Sequence, residues 1–188
     1  SAARPLRVLL LGGSLGAAPL NALLPPVANL LMDRGLGQSL SLWQQCGERN
    51  RAEADAAWID SPFAERRCDA FIDDMPAAYA WADVVIARAG ALTVSELAAT
   101  GTAAILIPLP HAIDDHQTQN ARILASAGAA VLLPQSEVTP ERLAELLGDW
   151  IASPSSLAQV SSAAGELAAP DATHRVVEVL RGVTHASR

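Results

Sequence analysis

Lysine is absent from this 188-residue sequence, so all 13 basic residues are arginines, set against 20 acidic ones for a net charge of −7. No basic run exceeds the pair Arg66-Arg67, and an acidic chain without a basic stripe is a poor partner for nucleic acid. Aromatic residues are scarce at 4%, which leaves the core to Ala, Leu, Val and Ile. Cysteine occurs only as Cys46 and Cys68, with neither CxxC nor metal-ligand spacing. Two such thiols suit a reducing cytoplasm and exclude a disulfide framework. Formal charge is missing from Val8 to Met32, a 25-residue stretch long enough to span a bilayer. Gly12, Gly13, Pro19, Pro25 and Pro26 break it, so it reads as neither a lipid-facing helix nor a signal peptide. The start at Ser1 rather than Met reads as an excised or processed piece.

What is present is apolar. Hydrophobic residues make up 51% and charged ones 18%, which excludes a disordered chain. A chain of this length favours one domain, with about 70% of its unfolded surface buried.

Strand-like and helical runs alternate. Arg7–Leu11 is a continuous apolar run closed by Gly12-Gly13, as expected of a strand buried on both faces. Further strands are predicted at Ser39–Trp43, Asp69–Ile72, Asp83–Ala87, Ala103–Ile107 and Ala129–Leu133. Between them lie helices at Ala17–Arg34 (bent at Pro25-Pro26), Arg49–Ile59, Pro76–Trp81, Thr93–Thr100 and Asp115–Ser126. The remainder reads as helical, over Pro140–Ile151, Ser155–Leu167 and Asp171–Val183. This alternation predicts an α/β fold, a Rossmann-like parallel sheet of about six strands with helices on both faces.

In such a sheet ligands bind beyond the carboxyl ends of the strands. The first turn, Gly12-Gly13-Ser14-Leu15-Gly16, lets backbone N–H groups approach a phosphate, with the Ser14 hydroxyl as a further donor. It matches neither the dinucleotide nor the P-loop fingerprint, and a plain tight turn is the competing reading. After the fourth strand, Arg88-Ala89-Gly90 feeds a second helix start. There Thr93 and Glu96 fit a capping box, or else Glu96 accepts from a ribose diol. After the fifth strand, His116, Gln117 and Asn120 form an amide-and-imidazole set suited to sugar hydroxyls. Asp114 or Asp115 reads as a helix N-cap rather than an acid catalyst. His111 and His116 lack a third ligand, so no metal site is expected. The four tryptophans read as packing residues.

Together these turns, with Phe71-Ile72-Asp73-Asp74-Met75 and the whole segment Arg88–Glu96, resemble the MurG family of glycosyltransferases. The resemblance runs from about Arg7 to Val183 and covers only the carboxyl-terminal half of a two-domain, GT-B enzyme. It implies a UDP-sugar donor-binding domain over 1–168, followed by a C-terminal helix and tail over 169–188. It implies that the Ile72 backbone reads uracil, that Glu96 holds the ribose, and that Ser14, Leu92 and Thr93 contact the diphosphate. Gly12, Gly13, Gly16 and Gly90 would form the phosphate turns, and His116, Gln117 and Asn120 would face N-acetylglucosamine. The family often has two glutamines where this chain has His116-Gln117. The family makes lipid II from lipid I in peptidoglycan synthesis, on the cytoplasmic face of the inner membrane, as a peripheral protein. Its general base and lipid-acceptor site belong to an amino-terminal domain not contained in these residues. No obligatory cofactor, metal or catalytic residue is therefore expected here. Two further readings stay open: a free-standing donor-binding subunit with a membrane partner, and a UDP-sugar epimerase-like domain, for which Asp115 is the nearest carboxylate. A nicotinamide-binding domain is the fallback at the level of fold.

Overall fold

The computed structural model describes residues 4–12, 18–59, 61, 63, 65–109 and 115–167. Six parallel strands form one sheet in the order β3-β2-β1-β4-β5-β6. They are β1 (Leu6–Leu11), β2 (Leu40–Gln45), β3 (Arg66–Asp69), β4 (Val84–Ala87), β5 (Ala103–Leu106) and β6 (Ala130–Leu132). The helices are α1 (Ala18–Asn21), α2 (Leu24–Asp33), α3 (Arg51–Ala56), α4 (Met75–Trp81), α5 (Ala91–Thr100), α6 (His116–Ser126), α7 (Pro140–Ala152) and α8 (Pro154–Leu167).

The unbroken apolar run of β1 follows from burial on two sides. Val8 and Leu10 pack with Leu24, Val27 and Leu31 of α2 and Leu143 and Leu147 of α7. Leu9 and Leu11 face the other way, onto Tyr79 of α4, Val94 and Leu97 of α5 and Leu124 of α6. Successive side chains of a strand point to opposite faces, so a sheet sandwiched between helices needs apolar residues at every position. Each fully buried leucine contributes roughly 1.5–3 kcal/mol of transfer free energy. Aliphatic packing on both faces therefore supports a core with few aromatics.

Two elements differ from the sequence expectation. The long first helix is instead α1 and α2, with Pro25 and Pro26 in the first turn of α2. There a missing N–H has no intrahelical acceptor to lose, so the prolines begin a helix rather than bend one. The third strand lies three residues earlier than predicted, at Arg66–Asp69. It is an edge strand, and charged residues suit an edge. Arg67 lies 4.1 Å over the Trp43 ring of β2, and Trp43 Nε1 donates to Asp69 at 2.7 Å, which ties this polar strand to its neighbour. The shift leaves Phe71 and Ile72 in a loop. The predicted helix over Asp171–Val183, and the proposed division at residue 168, lie outside the described residues.

The uncharged stretch from Val8 to Met32 is divided between β1, α1 and α2. Among the described residues no helix is long and apolar enough to cross a membrane.

Candidate functional site

From β1 the chain runs outward through β2 and β3, then returns to place β4 on the other side of β1. The crevice between β1 and β4 is thus the topological switch point, where open α/β sheets bind ligands. A cavity of about 340 Å³ opens there. The ends of the strands supply Leu11, Gly12, Gln45, Ala87 and Arg88, the loop after β3 supplies Phe71 and Ile72, and α4 and α5 supply Met75, Tyr79, Leu92, Thr93 and Glu96.

The loop after β3 is held by the helix that follows. Asp74 caps α4, its side chain accepting from the Ala77 N–H at 2.9 Å, and Pro76 stands in the first turn. The Ile72 side chain is buried in the core against Leu11 and Ala78. Its backbone N–H and C=O make no hydrogen bond among the described residues. A donor and an acceptor are thus left beside the cavity, and Phe71 stands next to them 61% exposed.

Helix α5 begins at an N-cap glycine, Gly90, which offers no side chain to the first N–H groups. The first intrahelical bond is donated by Val94 to the Gly90 carbonyl, so the N–H groups of Ala91, Leu92 and Thr93 precede the ladder. Arg88 stands half-buried just before this turn and donates to the carbonyls of Ile107 and Pro108, both at 3.2 Å. Burial lowers its pKa, and no carboxylate among the described residues pairs with it. An uncapped helix N-terminus beside a desolvated cation favours an anion.

The capping-box reading of Thr93 and Glu96 fails on register. With Gly90 as the cap, both residues lie inside α5, and Glu96 falls in its second turn. Its carboxylate instead accepts from the Tyr79 hydroxyl, with Oη to Oε2 at 2.8 Å.

On α6 the three predicted sugar-facing residues separate by environment. Asn120 is 8% exposed, and its Nδ2 donates to the Ala89 carbonyl at 3.1 Å. Gln117 accepts the Leu109 N–H on Oε1 at 2.9 Å, leaving its NH2 group as donor. His116 is exposed at the first position of the helix. Asp115 is the N-cap by position but makes no side-chain capping bond, and it adopts a left-handed conformation with φ of 51°. Asp115 and Thr118 line a second cavity of about 300 Å³ with Gln135, apart from the one holding Glu96. Gly13, Ser14, Gly16 and His111 lie outside the described residues. Among the described residues no three His, Cys, Asp or Glu side chains gather as a metal site.

Tyr79 and Gln45 were not marked by the sequence. Tyr79 carries one available signal: it is the single tyrosine of an aromatic-poor chain, and a buried phenol needs a partner.

A doubly wound parallel sheet, with a polar crevice at its switch point, defines a nucleotide-type binding domain. The chain belongs to the family of the glycosyltransferase family 28 C-terminal domain, whose model matches residues 7–176. It is 50% identical over 176 residues to a curated protein from Azotobacter vinelandii, covering 94% of this chain and 48% of that one. It is 48% identical over 175 residues to another from Shewanella denitrificans, covering 93% and 47%. Both carry the name UDP-N-acetylglucosamine--N-acetylmuramyl-(pentapeptide) pyrophosphoryl-undecaprenol N-acetylglucosamine transferase. The crystal structure of Acinetobacter baumannii MurG matches with a TM-score of 0.78 at 41% identity, covering 97% of this chain and 51% of that one. The fold is that of the carboxyl-terminal half of a GT-B glycosyltransferase. The chain spans about half the length of the curated relatives it matches.

Proposed function

We propose that this chain is the donor-binding half of an N-acetylglucosaminyltransferase that converts lipid I to lipid II in peptidoglycan synthesis. One observation carries the reading. A single switch-point cavity gathers a backbone donor and acceptor at Ile72 without a partner among the described residues, an anion-favouring helix start beside Arg88, and the Glu96 carboxylate. Those three features match, in order, the imide edge of uracil, a diphosphate and a ribose diol.

In this reading the N–H and C=O of Ile72 pair with the uracil edge. The N–H groups of Leu92 and Thr93, with Arg88, receive the diphosphate, and Gly12 and Gly90 let the backbone come close to it. Ser14, Gly13 and Gly16 belong to the same phosphate turn. The sugar lies toward His116 and Gln117, whose NH2 group donates to no residue among those described. Asn120 acts from beneath, holding the turn that carries Arg88 and Gly90.

The transfer is an inverting displacement. An acceptor hydroxyl attacks the anomeric carbon, the bond to the diphosphate oxygen breaks, and a base on another domain takes the hydroxyl proton. This chain's share is the leaving group, whose growing charge meets fixed dipoles and a cation that are already oriented. The acceptor site and base belong to an amino-terminal domain or a separate membrane partner. The whole assembly works as a peripheral protein on the cytoplasmic face of the membrane.

Calorimetric titration with UDP-N-acetylglucosamine, UDP-glucose, UDP and NAD tests the donor site. Preference for the N-acetylglucosamine donor, lost in Glu96→Ala with the fold intact, is the expected result. Binding of NAD but no UDP compound overturns the reading. The chain alone should bind donor without turnover, and transfer to a lipid acceptor by the isolated chain contradicts that division of labour.

A further inference from the structure

Tyr79 is 3% exposed and is the chain's single tyrosine, on the short helix α4 that packs beside α5. A phenylalanine would fill the same volume, so the hydroxyl requires its own explanation. It donates to Glu96 Oε2 at 2.8 Å, and this is the only hydrogen bond of the Glu96 carboxylate among the described residues. Both residues line the switch-point cavity. Burial, and then the neighbouring carboxylate, raise the Tyr79 hydroxyl well above its ordinary pKa of 10.0, so it remains a donor at any working pH.

A glutamate side chain has three rotatable bonds and is ordinarily mobile on a helix surface. The two hydroxyls of a ribose are best met by one carboxylate held still, with lone pairs on both oxygens available. The phenol takes one acceptor site on Oε2 and leaves Oε1 without a partner among the described residues. We propose that Tyr79 is a positioning residue that pins Glu96 so that its carboxylate meets both ribose hydroxyls, making the cavity selective for ribonucleoside over deoxyribonucleoside diphosphates. This rests on the reading of Glu96 as the ribose-binding carboxylate. Tyr79 itself touches no ligand in this scheme.

The test compares UDP with 2′,3′-dideoxyuridine diphosphate on the unaltered chain, Tyr79→Phe and Glu96→Gln, by calorimetry. Tyr79→Phe should weaken UDP by about tenfold and leave the dideoxy nucleotide within about twofold, because only the diol uses the pinned carboxylate. An equal loss for both nucleotides means a merely structural hydroxyl and overturns the inference. So does undiminished UDP binding in Tyr79→Phe when Glu96→Gln is impaired, and in that case the ribose reading survives. If Glu96→Gln leaves UDP unaffected, or the unaltered chain binds no UDP, the ribose reading fails and the inference with it. A second readout needs no substitution. With 3-fluorotyrosine in place of the single tyrosine, one ¹⁹F resonance reports this hydroxyl. It should move with UDP and stay with the dideoxy compound. Equal movement with both counts against the pinning.

Discussion

Asn120 of α6 donates through Nδ2 to the Ala89 carbonyl at 3.1 Å, so the helix after β5 holds the turn after β4 from below. That turn carries Arg88 on one side and the N-cap Gly90 on the other. Arg88 lines the switch-point cavity, as do Leu92 and Thr93 in the helix turn that Gly90 begins. A buried side-chain amide thus sets the position of the anion-favouring helix start.

Asn120→Ala leaves the Ala89 carbonyl without this partner. Leaving such a buried group unsatisfied costs about 1–3 kcal/mol, which urea unfolding measures directly. UDP affinity should fall in the same variant, while uridine binding is nearly unchanged, because the nucleoside does not reach the Arg88–Gly90 turn.

Arg88 sets two effects on stability against each other. It is half-buried with carbonyl acceptors but no carboxylate partner among the described residues, and burial lowers its pKa. Arg88→Met relieves a poorly solvated cation but leaves the Ile107 and Pro108 carbonyls without this donor, so the gain and the cost oppose each other. Arg88→Met should therefore shift the unfolding temperature less than Asn120→Ala does, yet bind UDP at least about tenfold more weakly, with uridine spared. The salt dependence of UDP binding should also diminish. Equal UDP affinity in this variant removes Arg88 from the diphosphate site.

The sequence disclosed the architecture better than the site. Six strands and seven of the helical runs were legible because apolar runs, glycines and prolines mark them locally. The third strand was misplaced because Arg66 and Arg67 look unlike a strand until Trp43, on the neighbouring strand β2, supplies a ring for Arg67 to lie over. For Glu96 the Thr93–Glu96 spacing offered a capping box, but Gly90 sets the helix start three residues earlier. Its true partner, Tyr79, is 17 residues away on another helix, and no local pattern encodes such a contact. Asn120 likewise belongs to a polar cluster by spacing, and only its depth shows that it supports the turn.

Alkaline pH tests the thiol and the phenol together. Burial, then the neighbouring Cys46, pushes the Cys68 thiol up from 9.0 to about 12, and Tyr79 is also raised above 10.0. Both groups stay protonated in the folded chain after they ionise in the unfolded one. The native state therefore holds more protons above about pH 9, and stability is full below that pH and lost as pH climbs toward 12. Denaturant midpoints should decline across this window, and less steeply in Cys68→Ala. The phenolate absorbance of the single tyrosine should appear only with unfolding.

Two glycines that face each other should respond with opposite signs. Gly101 ends α5 in the left-handed region at φ of 64°, and the Thr102 N–H closes back on the Leu97 carbonyl at 3.2 Å. A Cβ there would lie 3.2 Å from Gly165 Cα on α8. Gly101→Ala therefore meets backbone strain of roughly 1–2 kcal/mol, before the tight contact is counted. Gly165 lies inside α8, and a Cβ built on it meets nothing within 4 Å. Gly165→Ala should gain about 0.5–1 kcal/mol from the reduced freedom of the unfolded chain. Thermal unfolding of the two variants decides the matter: the first should lower the midpoint and the second raise it. If Gly165→Ala destabilises instead, the α5–α8 contact is tighter than the space around Gly165 allows.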